Sequence, residues 1–101
     1  MRPEELNQKI KNKENFILLD VREPQEYEIA NLGGVLIPLN ELSQRYTELD
    51  PNSEIIVMCH HGVRSSMAVQ FLRGKGYEKT HNLSGGIEAW SVEIDSNVAR
   101  Y

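Results

Sequence analysis

At 101 residues, with 40% hydrophobic and 26% charged residues, the chain has the size and composition of one globular domain, which excludes a mainly disordered protein. Fifteen acids against eleven bases give a formal net charge of −4, the wrong balance for a general nucleic-acid binder. No apolar run approaches the roughly 20 residues that span a bilayer, and Met1-Arg2-Pro3-Glu4-Glu5 turns acidic where a signal peptide would turn apolar. A sole cysteine makes no internal disulfide and requires no oxidising compartment. The expectation is a single cytoplasmic domain over residues 1–101, with neither nucleic acid nor membrane as a partner.

In chain order, Leu6 and Ile10 lie four apart after Pro3 and predict a short amphipathic helix. Phe16-Ile17-Leu18-Leu19, ending at Asp20, fits a strand buried on both faces, as in a parallel sheet. Pro24 starts a short helix through Ile29, and Gly33-Gly34 precedes a second strand, Val35-Leu36-Ile37, closed by Pro38. Asn40 to Tyr46 reads as helical, with a turn at Asp50-Pro51-Asn52. Ile55-Ile56-Val57-Met58 is the strongest strand, rich in β-branched residues, and it runs straight into Cys59. A helix from about Ser65 carries Ala68, Phe71 and Leu72 on one side and ends near Gly74 and Gly76. Thr80 to Leu83 is a polar strand, and Ile87, Trp90 and Ile94 have helical spacing after Gly85-Gly86. Strands alternating with helices imply an α/β domain with a mostly parallel sheet, whose loops after the strand ends share one edge. Ligands bind at that edge in open α/β sheets.

A lone cysteine is by base rate an inert packed residue, but Cys59 has an unusual position. It follows the central strand and precedes Gly62, Arg64 and a helix start, where backbone N–H groups lack partners and carry partial positive charge. A loop curling before such a terminus aims several N–H groups at one anionic atom and lowers a thiol pKa. Four residues, His60 to Val63, separate Cys59 from Arg64, one fewer than in the familiar phosphatase loop. The smaller ring suits one sulfur better than a tetrahedral phosphate, and no general acid for a phosphatase can be placed.

Three segments carry a resemblance. Leu18-Leu19-Asp20-Val21-Arg22-Glu23-Pro24-Gln25-Glu26-Tyr27, the stretch Ile56 to Ser65 and Leu83-Ser84-Gly85-Gly86-Ile87-Glu88-Ala89-Trp90 resemble, in order, the opening, active-site and closing motifs of the rhodanese-like domain family. The ending from Ala89 to Tyr101 is also similar to rhodanese domains fused behind ubiquitin-activating-like adenylyltransferases. The stretch Ala30-Asn31-Leu32-Gly33-Gly34-Val35 departs from the family, lacking its usual histidine and proline. The resemblance implies a rhodanese-like fold, a mostly parallel central sheet flanked by helices on both faces, and a sulfurtransferase. Cys59 would attack the outer sulfur of a small anionic donor such as thiosulfate, hold it as a persulfide and pass it to a thiophilic acceptor, cyanide in the usual assay. No cofactor is implied beyond that covalent intermediate. His60, His61, Gly62, Val63, Arg64 and Ser65 would form the anion cradle, with Arg64 holding the donor and Gly62 allowing close backbone approach. A sulfur-relay or docking module, exchanging sulfur with a sulfur-carrier protein or a cysteine desulfurase, is the alternative.

The remaining candidates have plainer readings beside functional ones. His60 and His61 either lend positive charge at the pocket mouth or are exposed loop residues. With Cys59 and His81 they form a poor zinc set, because three consecutive residues rarely wrap one tetrahedral ion, and no metal is expected. Asp20 and Arg22 read as a structural ion pair at a strand end, with Arg22 alternatively reaching the pocket. Glu23, Glu26 and Glu28 read as a solvated helix face, Trp90 as core, and Ser65 as a helix N-cap rather than a nucleophile.

Overall fold

A computed structural model describes all 101 residues. Four parallel strands form one sheet in the order β2-β1-β3-β4, with β1 at Ile17–Asp20, β2 at Val35–Leu36, β3 at Ile55–Met58 and β4 at Thr80–Asn82. Five α-helices connect or flank them: α1 at Pro3–Lys11, α2 at Pro24–Ile29, α3 at Leu42–Arg45, α4 at Val63–Gly74 and α5 at Gly86–Glu93. β3 is central, pairing Ile17 with Ile55 on one side and Ile55 with Thr80 on the other.

All four residues of β3 are buried, as a run of consecutive apolar residues requires, and the twofold alternation of a strand divides them between two cores. Ile55, Val57 and then Cys59 pack with Leu42, Ala68, Val69 and Leu72 on the face covered by α3 and α4. Ile56 and Met58 pack with Leu6, Leu83, Ile87 and Trp90 on the face covered by α1 and α5. Helices therefore flank both faces. Each fully buried Ile or Leu contributes about 1.5–3 kcal/mol over an exposed one, so β3 is a rigid mount for the residue that follows it.

Beyond one-residue shifts at strand ends, such as β2 stopping at Leu36 and β4 at Asn82, three features differ from the sequence expectation. In α1 Pro3 and Leu6 are buried, while Ile10 is 46% exposed. The segment expected as one helix over Asn40 to Tyr46 is a single α turn between two 3₁₀ turns, Leu39–Glu41 and Tyr46–Glu48. There Leu42 and Leu49 reach the core while Arg45 pairs outside with Glu41 and Glu48. Helix α4 starts at Val63, two residues early, because Gly62 takes a left-handed φ of +104° and serves as its N-cap. Ser65 thus lies inside the first turn and is not the cap.

Candidate active site at the cysteine loop

Cys59 stands at the end of β3, on the edge of the sheet where the chain leaves the strands. Its side chain is nearly sealed, 1% exposed. The chain reverses over Gly62 and enters α4, which turns two otherwise unpartnered amides onto sulfur. Gly62 N–H lies 3.1 Å from Cys59 Sγ and Ser65 N–H 3.4 Å, while Ser65 Oγ is 3.3 Å away. Burial pushes the thiol pKa up, but the Ser65 hydroxyl, the two amides and the Arg64 charge together bring it below the ordinary cysteine value. The loop therefore eases ionisation of Cys59 to the thiolate, the nucleophilic form.

A second helix start holds this loop from outside. Gly85 and Gly86 both adopt left-handed φ, and the first amides of α5 meet the loop's carbonyls: Ile87 N–H donates to Cys59 O at 2.9 Å and Glu88 N–H to His60 O at 3.1 Å. A Cβ on Gly86 would sit 2.4 Å from Cys59 O and 2.5 Å from His60 O, so only glycine permits this approach. Asn82, at the end of β4, completes the support. Its Nδ2 donates to Gly62 O at 3.1 Å and its Oδ1 accepts from Ser65 Oγ at 2.6 Å. Sequence reasoning missed Asn82; its signal is a polar residue at the end of a short strand, one step before the Leu83-Ser84-Gly85-Gly86 turn.

Arg64 does not stand free over the loop. Its guanidinium makes a two-pronged pair with Glu26, 2.6 Å and 2.9 Å, which holds the Glu26 carboxyl down at about 2 and raises Arg64 further. Glu26, expected on a solvated face, has a side chain only 17% exposed. Asp20 and Arg22 form a fully buried pair, with Nε and Nη2 on the carboxylate at 2.9 and 2.7 Å. The other guanidinium protons reach Glu26 O, Ala30 O and Tyr101 Oη, so all five donors are used. Arg22 thereby fastens α2, the helix that presents Glu26 to Arg64, rather than reaching the sulfur itself.

Among the other loop residues, Val63 is 70% exposed and turns its side chain outward, contributing backbone rather than contact with sulfur. His60 stacks between His61 and Tyr101, with ring centroids 4.0 and 3.9 Å apart, and burial followed by the His61 charge lowers its pKa. A histidine held below its usual value is largely neutral near pH ~7 and supplies little positive charge. His61 is exposed at the rim. His81 faces Glu54, 3.6 Å away, and no three His, Cys, Asp or Glu side chains converge as a metal site. No helix is long and apolar enough to cross a membrane.

Comparison with known proteins adds a family to this geometry. A family model described as the rhodanese-like domain matches residues 2–93. The chain is 42% identical over 93 residues to YrkF of Bacillus subtilis, named as a candidate sulfur carrier protein, covering 91% of this chain and 50% of YrkF. It is 32% identical over 114 residues to the Arabidopsis thaliana adenylyltransferase and sulfurtransferase MOCS3, covering 96% of this chain but 25% of that protein. The chain thus spans half or less of these two relatives. Among solved structures, a rhodanese-related protein from Thermoplasma volcanium superposes with a TM-score of 0.85 at 33% identity, over 93% of this chain and 91% of that one.

Proposed function

The chain belongs to the rhodanese-like domain family of sulfurtransferases and sulfur carriers, and from that premise we propose that Cys59 carries a sulfane sulfur as a persulfide. The supporting observation is the convergence of the Gly62 and Ser65 amides on Cys59 Sγ. In the first half-reaction the thiolate attacks the outer sulfur of thiosulfate, the S–S bond of the donor breaks, and sulfite leaves with the bonding pair. In the second, a thiophilic acceptor such as cyanide attacks the outer sulfur of the persulfide and returns Cys59 as thiolate. Such covalent catalysis divides one transfer into two and gives ping-pong kinetics. The inward amides stabilise anionic sulfur before and after each step. No cofactor takes part in either half-reaction, and cytoplasm is the proposed setting.

The relay alternative has its own support. Around the loop Arg64 pairs with Glu26, Arg22 with Asp20 and Arg100 with Glu88. Each cation is neutralised, which weakens the pull on a free dianion and favours sulfur handed over within a protein complex, by a cysteine desulfurase or to a sulfur-carrier protein. Intact mass tests the common step: thiosulfate treatment adds one sulfur to the wild type and none to Cys59→Ser. A folded Cys59→Ser protein that still turned over thiosulfate and cyanide would overturn the assignment. Turnover with those two small molecules, set beside transfer from a desulfurase persulfide, separates free enzyme from relay.

A further inference from the structure

The hydrogen bonds around Ser65 can be assigned proton by proton. Gly62 O can only accept, so the Asn82 amide corner 3.1 Å from it is Nδ2, and the opposite corner is Oδ1. Ser65 Oγ lies 2.6 Å from Oδ1, two oxygens that need a proton between them, and the amide oxygen has none to give. The single hydroxyl proton of Ser65 therefore points at Asn82. Ser65 then presents only lone pairs to Cys59 Sγ, 3.3 Å away, so that contact is a hydrogen bond only when the thiol donates. Ser65 is fully buried, which leaves no ready solvent partner for its hydroxyl.

We propose that Asn82 is a positioning residue for the nucleophile: by holding the Ser65 proton on its own Oδ1, it stabilises the resting thiol of Cys59. Ionisation then has two linked parts. The S–H proton leaves to water, and the Ser65 O–H turns from Asn82 Oδ1 to the thiolate. The hydroxyl assists the thiolate only after that turn, and Asn82 sets the cost of making it. The inference rests on Cys59 being the sulfur-carrying nucleophile, yet it is read without any turnover.

The charged and titratable groups facing the loop stay the same in every variant used: Arg64 on α4, Glu26 on α2, His60 and His61 in the loop, Glu88 on α5. Tyr101 on the C-terminal tail and the Asp20–Arg22 pair on β1 are also unaltered. The Cys59 pKa is measured from thiolate ultraviolet absorbance against pH, with the Cys59→Ser protein as the tyrosine background; the sole cysteine makes the signal unambiguous. Asn82→Leu removes the competing acceptor and is expected to lower the pKa by about half to one unit, the equivalent of one hydrogen bond. Ser65→Ala abolishes that effect, so the double variant titrates with Ser65→Ala alone. Asn82→Ala, which adds no bulk, is read the same way if the leucine variant fails to fold. A merely structural role predicts the opposite sign, because a loosened Gly62 carries its amide away from sulfur. A raised or unchanged pKa in the Asn82 variants, or an equal drop in the Ser65→Ala background, overturns the proposal. Persulfide loading of the wild type, measured separately by mass, reports on the sulfur-transfer reading alone.

Discussion

Helices α4 and α5 begin alike and serve the loop from opposite sides. Each has a left-handed glycine at its N-cap, Gly62 at φ +104° and Gly85 at φ +75°, and each opens with backbone N–H groups that no helical carbonyl can satisfy. Those of α4 turn inward to Cys59 Sγ; those of α5 meet the backbone carbonyls of Cys59 and His60. The first set acts on the reacting atom and the second on the backbone that carries it. A peptide whose carbonyl is bound on one side must present its other groups elsewhere, so α5 constrains the loop from which α4 aims at sulfur. The same local motif thus supplies chemistry in one place and rigidity in the other.

Substitutions that separate the two roles fall in a clear order. Gly86→Ala should be the most damaging to the fold, because its Cβ meets two carbonyls at 2.4 and 2.5 Å on backbone that also disfavours a side chain. A loss of about 3 kcal/mol is expected, visible as a lowered Tm in thermal unfolding. Gly62→Ala has its tightest contact at Gly85 N, 3.3 Å away, so its stability cost should be smaller, about 1–2 kcal/mol, but it disturbs the amide bound to sulfur. Its signature is a raised Cys59 pKa and slower persulfide formation in a folded protein. An unchanged thiol titration in folded Gly62→Ala would dissolve the distinction between the two helix starts.

The smallest effect concerns Arg64, whose partner comes from α2. Glu26 titrates at about 2 in the folded protein against an ordinary 4.5. A depressed carboxyl pKa contributes stability that is fully present above 4.5 and is lost as pH falls towards 2. Glu26→Gln removes that contribution, so the Tm gap between wild type and variant should be constant near neutrality and shrink across this acid window. A gap that held constant down to the lowest pH would show that the pair adds nothing to folding.

The sheet and the cysteine loop were legible because their signals are local. Consecutive apolar residues marked β1 and β3, and Cys59, Gly62 and Arg64 sit within six positions of one another. What escaped depends on the tertiary meeting of distant segments. Glu26 looked solvated because nothing in Gln25-Glu26-Tyr27 says that Arg64, far along the chain, reaches it. Asn82 looked like an ordinary strand residue until the β3–β4 register set it beside Gly62 and Ser65. The residue type of Ser65 favours a cap, whereas Gly62 occupies that position through its positive φ. Asp20 and Arg22, only two apart, showed their pairing in the sequence; that Arg22 also ties down Ala30 and Tyr101 did not.

The position of β3 has a consequence for how the chain acquires its reactive centre. Every strand pairing is parallel, so none closes through a hairpin, and β3 must find β1 and β4 across long intervening segments. Such non-local topologies fold more slowly than helical bundles of similar size, because loop closure precedes the contacts that reward it. Half a sheet would leave β3, and Cys59 at its end, without one flank. The low-pKa thiol should therefore emerge with the last cooperative step of folding, and in a denaturant titration the change in Cys59 thiolate absorbance should trace the same midpoint as the recovery of Trp90 fluorescence.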